Sequence, residues 1–438
     1  MENKIIVLGA GIAGISAGYH INPKFKVTIY EKNQDWGGMC GGFNLTSPVG
    51  NFWFDHAVHL SFAENHYVQE VFHNSSQPIR HIPKPMNYYK GHWIKHPAQN
   101  NLYPLPLEEK VLALKDMIHN HNPKDNINNF EQWLRAQYGN YFTENFPMCY
   151  TEKYWTTEAK NLSTSWVGKR LYTPNLEEIL YGAMSPQTPN TYYAKEMRYP
   201  KEGQYRSFFR SLREKVNICF NKEVVLIDTD AKKILFKDGT EDHYTHLVST
   251  LPLKEITKII QNTPEEIIDT SLKLHATSVA LVSLGFNRND IPKELWFYIY
   301  DKDKLFARVY SPSFKSPKNA PDGCSSLQAE IYFSSLKGIS DLVGCKTHNI
   351  GEYLIQHTKE KFIEMGICKA HDIICEDFRI IPYANVIFTH DMEKFRNKIL
   401  DFLKSKNIIS CGRFGEWDYL WSDQSFLSGY NAVQIFNR

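Results

Sequence analysis

Three glycines near the beginning of the chain are spaced as in a site that binds the pyrophosphate of a dinucleotide. Residues 4–8 form a short apolar run, and Gly9, Gly11 and Gly14 follow it as a G-x-G-x-x-G pattern. In such a pattern the first glycine permits a tight turn, the second lets the backbone approach the phosphate, and the third lets helix and strand pack closely. The helix that follows favours an anion at its N-terminus, because its first N–H groups are free.

A carboxylate stands at the distance along the chain that this type of site requires. A second apolar run, residues 26–30, ends at Glu31, where a carboxylate accepts a hydrogen bond from a ribose hydroxyl. Strand, turn, helix, strand and acid therefore appear in order, and we predict a dinucleotide site that also includes Ile12, Ala13 and Lys32.

A second glycine cluster indicates which dinucleotide binds. Residues 37–42 read Gly-Gly-Met-Cys-Gly-Gly. NAD enzymes do not need such a cluster soon after the ribose acid, whereas the longer FAD molecule extends past this point. The pattern favours FAD over NAD, with Gly38 and Met39 among its contacts, and an ordinary glycine loop is the alternative.

The elements that must position these residues indicate an α/β fold. Strand-like segments recur at residues 86–95, 216–248 and 272–388, and the last of these reads as a mainly antiparallel sheet. Apolar residues recur with a period near 3.6 between residue 107 and about 180, which predicts a helical insertion. Further helices are predicted over residues 348–365 and 424–435, the second of them after a strand that begins at Ile408.

We therefore predict a discontinuous Rossmann-like FAD domain, an inserted helical subdomain and a mainly antiparallel substrate domain. The FAD domain would comprise residues 1–85, 196–255 and 390–438. The helical insertion would comprise residues 107–190, and the substrate domain residues 86–106 and 256–389.

Composition excludes several other classes of protein. The chain has 438 residues and a formal net charge of +2, so more than one subdomain is expected and no bias toward nucleic acid is present. The sequence contains no run of about 18 apolar residues, and it therefore predicts no membrane span. Eight cysteines without C-x-x-C spacing indicate reduced thiols, and the 17 histidines show no metal-ligand spacing. We expect a cytoplasmic protein without a metal.

Several short strings along the chain resemble those of one known family. They are GGMC at 37–40, FDHAVH at 54–59, WIKHPAQNN at 93–101, YWTT at 154–157, WVGKR at 166–170, RYP at 198–200, WFY at 296–298 with Arg308, and GRFGEWDY at 412–419. The chain resembles the UDP-galactopyranose mutases, and the eukaryotic-type branch more than the short bacterial one. The amine-oxidase and protoporphyrinogen-oxidase group shares the flavin motifs and is the competing interpretation, whereas the Arg170 and Arg308 strings and the Gln99-Asn100-Asn101 loop favour the mutase.

The resemblance implies an FAD-dependent isomerase that interconverts the pyranose and furanose forms of a nucleotide sugar, as in surface-polysaccharide biosynthesis. In that family N5 of reduced FAD is the nucleophile at the anomeric carbon, so the protein supplies position and electrostatics. An electron donor such as NAD(P)H or a reductase would keep the FAD reduced. The alternative is an FAD-dependent oxidoreductase of the amine-oxidase or protoporphyrinogen-oxidase type.

The resemblance also assigns roles to individual residues. His59 would lie over the flavin, Arg170 and Arg308 would bind the diphosphate, and Tyr383 and Tyr419 would donate hydroxyl hydrogen bonds to it. Other substrate contacts would come from Gln99, Asn100, Trp166, Trp296 and Tyr298, and other FAD contacts from Arg413, Asp423, Gln424 and Ser425.

Two departures from the family leave the substrate open. Ala98 stands where the family has an aromatic residue that stacks on uracil, and His96 replaces a tyrosine. A smaller residue at position 98 would leave space for another base, such as guanine or thymine. Residues 420–422 are shorter than the family stretch and lack its usual asparagine, so the sugar is open as well.

Overall fold

The computed structural model describes residues 3–120, 127–192, 194–291, 294–344 and 349–437. Strands and helices are numbered in chain order. The strands are β1 (Lys4–Leu8), β2 (Lys26–Tyr30), β3 (Gly42–Ser47), β4 (Gly50–Asp55), β5 (Pro78–His81), β6 (Met86–Tyr89), β7 (His92–Lys95), β8 (Met197–Pro200), β9 (Ile218–Cys219), β10 (Val224–Asp228), β11 (Lys233–Phe236), β12 (Glu241–His243), β13 (His246–Ser249), β14 (Ala276–Phe286), β15 (Trp296–Ile299), β16 (Arg308–Tyr310), β17 (Ser325–Ser334), β18 (Ile373–Val386) and β19 (Ile408–Ser410).

Helices occur between the strands, and several follow one another between β7 and β8. They are α1 (Ile12–His20), α2 (His66–Ser75), α3 (Leu107–Asn120), α4 (Phe130–Asn145), α5 (Pro147–Tyr154), α6 (Leu176–Met184), α7 (Arg210–Arg213), α8 (Leu253–Ile259), α9 (Glu265–Leu272), α10 (Pro312–Lys315), α11 (Ile339–Val343), α12 (Ile350–Glu364), α13 (Met392–Ser405) and α14 (Ser422–Ala432).

A parallel sheet forms from three distant stretches of the chain. Its strand order is β19-β13-β1-β2-β9, and every neighbouring pair is parallel. Residues 5–8 of β1 are 0–1% exposed, as expected for a parallel strand covered on both faces. The sheet therefore combines the beginning, middle and end of the chain, and the domain limits given above stay a prediction.

A second sheet of seven strands is antiparallel except at one pair. Its order is β18-β14-β17-β16-β15-β6-β7, and only β6 and β15 run parallel. The register aligns Tyr298 with Arg308, and Arg308 with Glu330. Because side chains of paired residues lie on the same face, these three residues form a row across the sheet.

The predicted helical insertion is present between β7 and β8. Helix α3 begins at Leu107, as its period predicts, and α4 follows at Phe130–Asn145. Gly139 interrupts α4 with φ +73°. Leu134 and Phe142 of α4 join Met117 of α3 in one core.

The boundaries of two predicted helices were wrong by a few residues. The helix expected at 348–365 spans Ile350–Glu364, and residue 348 lies outside the described residues. The last helix was expected at 424–435 but begins at Ser422 and ends at Ala432. The side chain of Gln424 explains the earlier start, because its Oε1 accepts a hydrogen bond from the Trp421 N–H at 2.8 Å and so caps the helix.

Three further features bear on the composition arguments. In the described residues, no helix is long and apolar enough to cross a membrane. The same residues hold no group of three or more His, Cys, Asp or Glu side chains that could bind a metal ion. The cysteines among them are all free thiols.

Candidate active site

A cavity of about 1460 Å³ receives side chains from both sheets. On the parallel sheet its walls are the residues at or just beyond the carboxyl ends of strands: Leu8, Tyr30, Thr250 and Gly412. Ligands of open α/β sheets bind at this edge. On the antiparallel sheet Tyr298 and Arg308 complete the wall.

The first glycine turn has the geometry that the sequence predicts. Gly9 adopts φ +96° and donates its N–H to the Tyr30 carbonyl at 2.8 Å. A Cβ on Gly14 would lie 1.9 Å from the Gly9 oxygen, so only glycine lets the helix pack here. A Cβ on Gly11 would meet no atom within 4 Å, and Gly11 lines the cavity together with Ile12 and Ala13.

The second glycine turn packs directly against the first. Gly37 donates its N–H to the Ala10 carbonyl at 2.9 Å, and a Cβ on Gly38 would lie 3.2 Å from the Gly11 Cα. Met39 extends the cavity wall beyond this contact. The two clusters therefore form one backbone surface along the cavity.

Glu31 is buried at 7% exposure beside the first turn. Its Oε2 accepts the Ala10 N–H at 2.8 Å, and its Oε1 accepts both N–H groups of Asn33, at 3.0 Å from the backbone and 2.8 Å from the side chain. A carboxylate has about four acceptor sites, so capacity remains for a hydroxyl. Lys32 is exposed and also lines the cavity.

Arg413 enters the cavity from the turn that follows β19. Its Nε donates to the Leu420 carbonyl at 2.7 Å, and its Nη1 donates to the Ala384 carbonyl at 3.0 Å and to Asn385 Oδ1 at 3.3 Å. Among the described residues Arg413 forms no ion pair, so its charge is available to an anionic ligand.

The N-terminus of α14 meets the cavity through Ser422 and Ser425. Asp423 and Gln424 are not among the lining residues of the described chain, and the Gln424 side chain is used in the cap. Burial raises the pKa of Asp423. The free N–H groups at this end favour negative charge in the cavity.

The segment that carries His59 follows β4. The Ala57 carbonyl lies 3.2 Å from His59 Nδ1, and the His59 ring centroid lies 5.2 Å from that of Tyr205. Burial lowers the pKa of His59 to about 4; Lys315 and Arg413 also lower it, and Asp55 opposes them. His59 is therefore neutral at pH 7 and lines the cavity.

Arg308 forms an ion pair that the sequence does not reveal. Its Nε donates to Glu330 Oε2 at 2.7 Å, and its Nη2 donates to the Tyr332 hydroxyl at 3.2 Å. Burial opposes the charge, but Glu330 and the nearby tyrosines hold the pKa of Arg308 well above its usual value. Glu330 is 22 residues away along the chain and is brought here only by the register of β16 and β17.

Arg170 pairs with no carboxylate among the residues that the structure describes. Its Nη1 donates to the Trp166 carbonyl at 3.1 Å, its Nη2 donates to the Tyr419 carbonyl at 2.8 Å, and the guanidinium lies over the rings of Tyr419 and Trp421 at 4.7 and 5.0 Å. Its Nε is buried and has no hydrogen-bond partner in the described part of the chain. Arg170 does not itself line the cavity in the described chain, but both aromatic rings do.

Tyrosine side chains bridge the two arginines. The hydroxyl groups of Tyr154 and Tyr419 are 3.2 Å apart, and the Arg308 guanidinium lies 5.8 Å from the centre of the Tyr154 ring. The structure therefore gathers Arg170, Tyr419, Tyr154 and Arg308 into one cluster. Tyr154 lies in one of the strings that carry the resemblance, but the sequence predicted no role for it.

The remaining predicted substrate residues divide into two groups. Trp296 and Tyr298 line the cavity, whereas Gln99, Asn100 and Trp166 do not line it within the described residues. Gln99 Nε2 donates to a backbone carbonyl at 3.0 Å. Asn100 Oδ1 and Trp166 Nε1 are buried without hydrogen-bond partners.

The surroundings of Ala98 and Tyr383 bear on two further predictions about the substrate. Ala98 is 1% exposed within the core, so no open space lies at its side chain. Tyr383 lines the cavity, but its hydroxyl donates to Glu255 and its ring packs 5.4 Å from Phe414. None of these partners belongs to the arginine cluster; Glu255 is 128 residues away along the chain and gave no signal.

Known proteins share parts of this arrangement. Residues 7–74 match the family of NAD(P)-binding Rossmann-like domains. A crystal structure of reduced UDP-galactopyranose mutase superposes with a TM-score of 0.90 at 24% identity, covering 99% of this chain and 95% of that one. The chain has the fold of a UDP-galactopyranose mutase. This likeness bears out the resemblance and the predicted fold class, while the eukaryotic-type branch stays a prediction.

Oxidases share the fold less closely. A protein from Exiguobacterium sp. 255-15, provisionally named a protoporphyrinogen oxidase, gives a TM-score of 0.73 at 13% identity, covering 99% of this chain and 98% of that one. Cyclohexylamine oxidase from Brevibacterium oxydans IH-35A gives 0.68 at 12% identity, covering 100% and 99%. At such identities the likeness shows the fold alone, and function must be argued from the site.

Proposed function

We propose that this protein is an FAD-dependent nucleotide-sugar mutase that interconverts pyranose and furanose forms in the cytoplasm, for the synthesis of a surface polysaccharide. The observation that carries the proposal is the cluster of Arg170, Tyr419, Tyr154 and Arg308 beside the cavity. Arginine binds diphosphate oxygens through paired N–H groups, and the buried Arg170 Nε lacks a partner. An amine would give these two cations no anionic partner, and a porphyrinogen would offer them carboxylates but no diphosphate.

The residues along the parallel sheet fit FAD. Gly11 leaves open space beside the N-terminus of α1, and the second glycine turn continues the backbone surface past the first. A cavity of about 1460 Å³ exceeds the roughly 300–1,000 Å³ of a site for one small ligand, and so leaves room for a substrate beside the dinucleotide. Glu31 would accept the ribose hydroxyl, and Arg413 would contact the cofactor.

The protein's own groups supply position and charge. Arg170 and Arg308 would hold the diphosphate, with the Tyr419 hydroxyl beside them, so the leaving group stays in place for recombination. Neutral His59 would cover one face of the cofactor without adding positive charge. The N-terminus of α14 would stabilise negative charge on the ring. Reduced FAD would supply the nucleophile, its N5 atom, for the anomeric carbon.

The test uses the purified protein with anaerobically reduced FAD and a panel of UDP-, GDP- and dTDP-hexopyranoses. Products are separated by anion-exchange chromatography. A new isomer that requires reduced flavin supports the mutase and identifies the nucleotide. The absence of any isomer, together with flavin reduction by an amine or a porphyrinogen, would favour the oxidase instead.

The Arg170→Lys and Tyr383→Phe variants serve as a matched pair in this assay. Lysine cannot reproduce the planar N–H geometry of arginine, so Arg170→Lys should lower activity even with its charge retained. Tyr383→Phe should retain activity, because the hydroxyl it removes is bonded to Glu255 and not to the arginine cluster.

A further inference from the structure

A buried ion pair lies where the His59 segment leaves the β4 strand. Asp55 is the last residue of β4 and Lys315 the last residue of α10, and their carboxylate and ammonium groups are in contact. Both side chains are 0% exposed. Residues 56–60, called the histidine loop below, follow Asp55 directly. The pair is therefore fixed at the base of the loop.

Both charges of the pair have further partners. Asp55 Oδ1 accepts the Tyr205 backbone N–H at 2.9 Å, and its two oxygens lie 3.1 and 2.9 Å from the Tyr199 hydroxyl. The Lys315 ammonium lies between the rings of Tyr199 and Tyr310, 4.4 Å from the centre of each. A buried ion pair stabilises a structure only when its remaining hydrogen-bonding capacity is met in this way.

Asp55 is linked to His59 in two ways. One is the chain itself, since His59 is four residues after Asp55. The other is Tyr205, whose backbone N–H is bound by Asp55 and whose ring packs against His59, with centroids 5.2 Å apart. The Tyr205 hydroxyl bonds to Ser422 at the start of α14, so the same unit reaches the cavity wall.

We propose that the Asp55–Lys315 pair is the positioning element for His59, because it holds both the base of the histidine loop and the Tyr205 ring against which His59 packs. The catalytic importance of that position rests on the proposed function. The effect of the pair on His59 itself does not, and it can be measured in the protein without flavin.

The charges around His59 give the proposal an electrostatic signature. The charges and the dipole that act on His59 are those of Asp55, Lys315, Arg413 and the Ala57 carbonyl, and the Tyr205 ring packs against it. Asp55 raises the pKa of His59 and Lys315 lowers it. Removing the ammonium alone should therefore raise this pKa, and removing the carboxylate charge alone should lower it. Opposed shifts show that the charges of the pair act on His59 through space, and the double variants described below decide whether the pair also positions His59.

The experiment follows the His59 signal by NMR in apoprotein labelled with ¹³C at histidine Cε1, and His59→Gln assigns the signal. Lys315→Met should move the titration midpoint up by about half a unit or more, and Asp55→Asn should move it down. Lys318→Met, an exposed lysine of the following turn, is the matched control and should leave the midpoint unchanged. Shifts of the same sign, or no shift in either variant, would overturn the proposal.

Two double variants keep the test decisive if a single variant does not fold. Breaking a buried pair on one side is strongly destabilising because it leaves an uncompensated charge, whereas removing both charges destabilises much less. Asp55→Asn with Lys315→Met keeps an acceptor for the Tyr205 N–H, and its His59 midpoint should stay low. Asp55→Ala with Lys315→Met removes that acceptor, and the midpoint should rise toward about 6.5, the value of a solvated histidine.

Equal midpoints in the two double variants would also overturn the proposal. The outcome is separate from the proposed function: a wild-type protein that isomerises no nucleotide sugar would refute the mutase while the His59 shifts stand. Conversely, an active mutase with an unshifted His59 signal would leave the function and refute the positioning role.

Discussion

The pair of substitutions Gly11→Ala and Gly14→Ala separates binding from folding in the first glycine turn. Gly11 has φ −72° and ψ 177°, an ordinary conformation for alanine, and its Cβ would meet no atom within 4 Å. Alanine is a poorer N-cap than glycine, which lowers stability slightly, but it also restricts the unfolded chain, which raises stability by a similar amount. The free energy of unfolding should therefore change by less than about 1 kcal/mol.

The same methyl group would occupy the space through which a phosphate reaches the backbone N–H groups. Losing one charge-assisted hydrogen bond of about 1.5–3 kcal/mol would weaken FAD binding by about 10- to 160-fold. At Gly14 the added Cβ would lie 1.9 Å from the Gly9 oxygen, so backbone must shift. We expect a loss of stability above about 4 kcal/mol there.

The assay combines urea unfolding of the apoproteins with FAD titration followed by flavin fluorescence. Gly11→Ala should unfold at nearly the wild-type urea concentration and bind FAD weakly, whereas Gly14→Ala should unfold at much lower urea. If Gly11→Ala bound FAD as tightly as the wild type, the open space at Gly11 would not be the phosphate site, and the reasoning would be refuted.

Three further predictions concern the cavity and its histidines. Arg170→Ala should raise the Kd for UDP, GDP or dTDP by about 10- to 100-fold in a fluorescence titration, since a hydrogen bond to a charged group is worth about 1.5–3 kcal/mol. Tyr383→Phe should leave the same Kd unchanged; a loss equal to that of Arg170→Ala would show that Tyr383 binds the nucleotide after all. Burial lowers the pKa of His59 to about 4 and that of His96 to about 3, so the unfolded chain takes up protons first. The unfolding free energy should therefore fall as the pH decreases from about 6.5 toward 4. The dependence of the unfolding free energy on pH should be weaker in the His59→Gln/His96→Gln double variant. It should persist in His371→Gln, a change at an exposed position. Equal pH dependence in the wild type and both variants would contradict the prediction.

The sequence predicted the features that depend on residues close together along the chain. The strand before Gly9, the helix after Gly11 and the hairpin of residues 86–95 each follow from local periodicity and turn residues, and each is present with the expected bounds or close to them. The interruption of α4 at Gly139 is local too, but a single glycine inside a helical pattern does not reveal a break.

The features that the sequence missed depend on partners chosen by the fold. Glu330 meets Arg308 only through the register of two antiparallel strands, and Glu255 meets Tyr383 only because α8 packs near β18. Ala98 shows the same limit for an expected empty space instead of a missed contact. A small residue at a family position indicates space only if the neighbours stay apart, and here the core fills it.

The two arginines of the cluster are not equivalent, and this difference decides what each contributes to an anion. Arg308 and the buried Glu330 form a pair with no net charge. Arg308 therefore orients an anion through its remaining N–H groups but adds little electrostatic attraction. Arg170 is held by carbonyls and aromatic faces, and no carboxylate in the described part of the chain neutralises its charge. Glu330→Gln should therefore tighten binding of a nucleoside diphosphate, because it adds one net positive charge to the site, and should lower turnover by loosening Arg308. The Val58 N–H, bound by Glu330 Oε1 at 2.8 Å, would keep an acceptor in the glutamine amide oxygen. Isothermal titration with UDP, GDP and dTDP measures the first effect, and weaker binding in Glu330→Gln would show that the carboxylate acts by holding Arg308 in place rather than by reducing its charge.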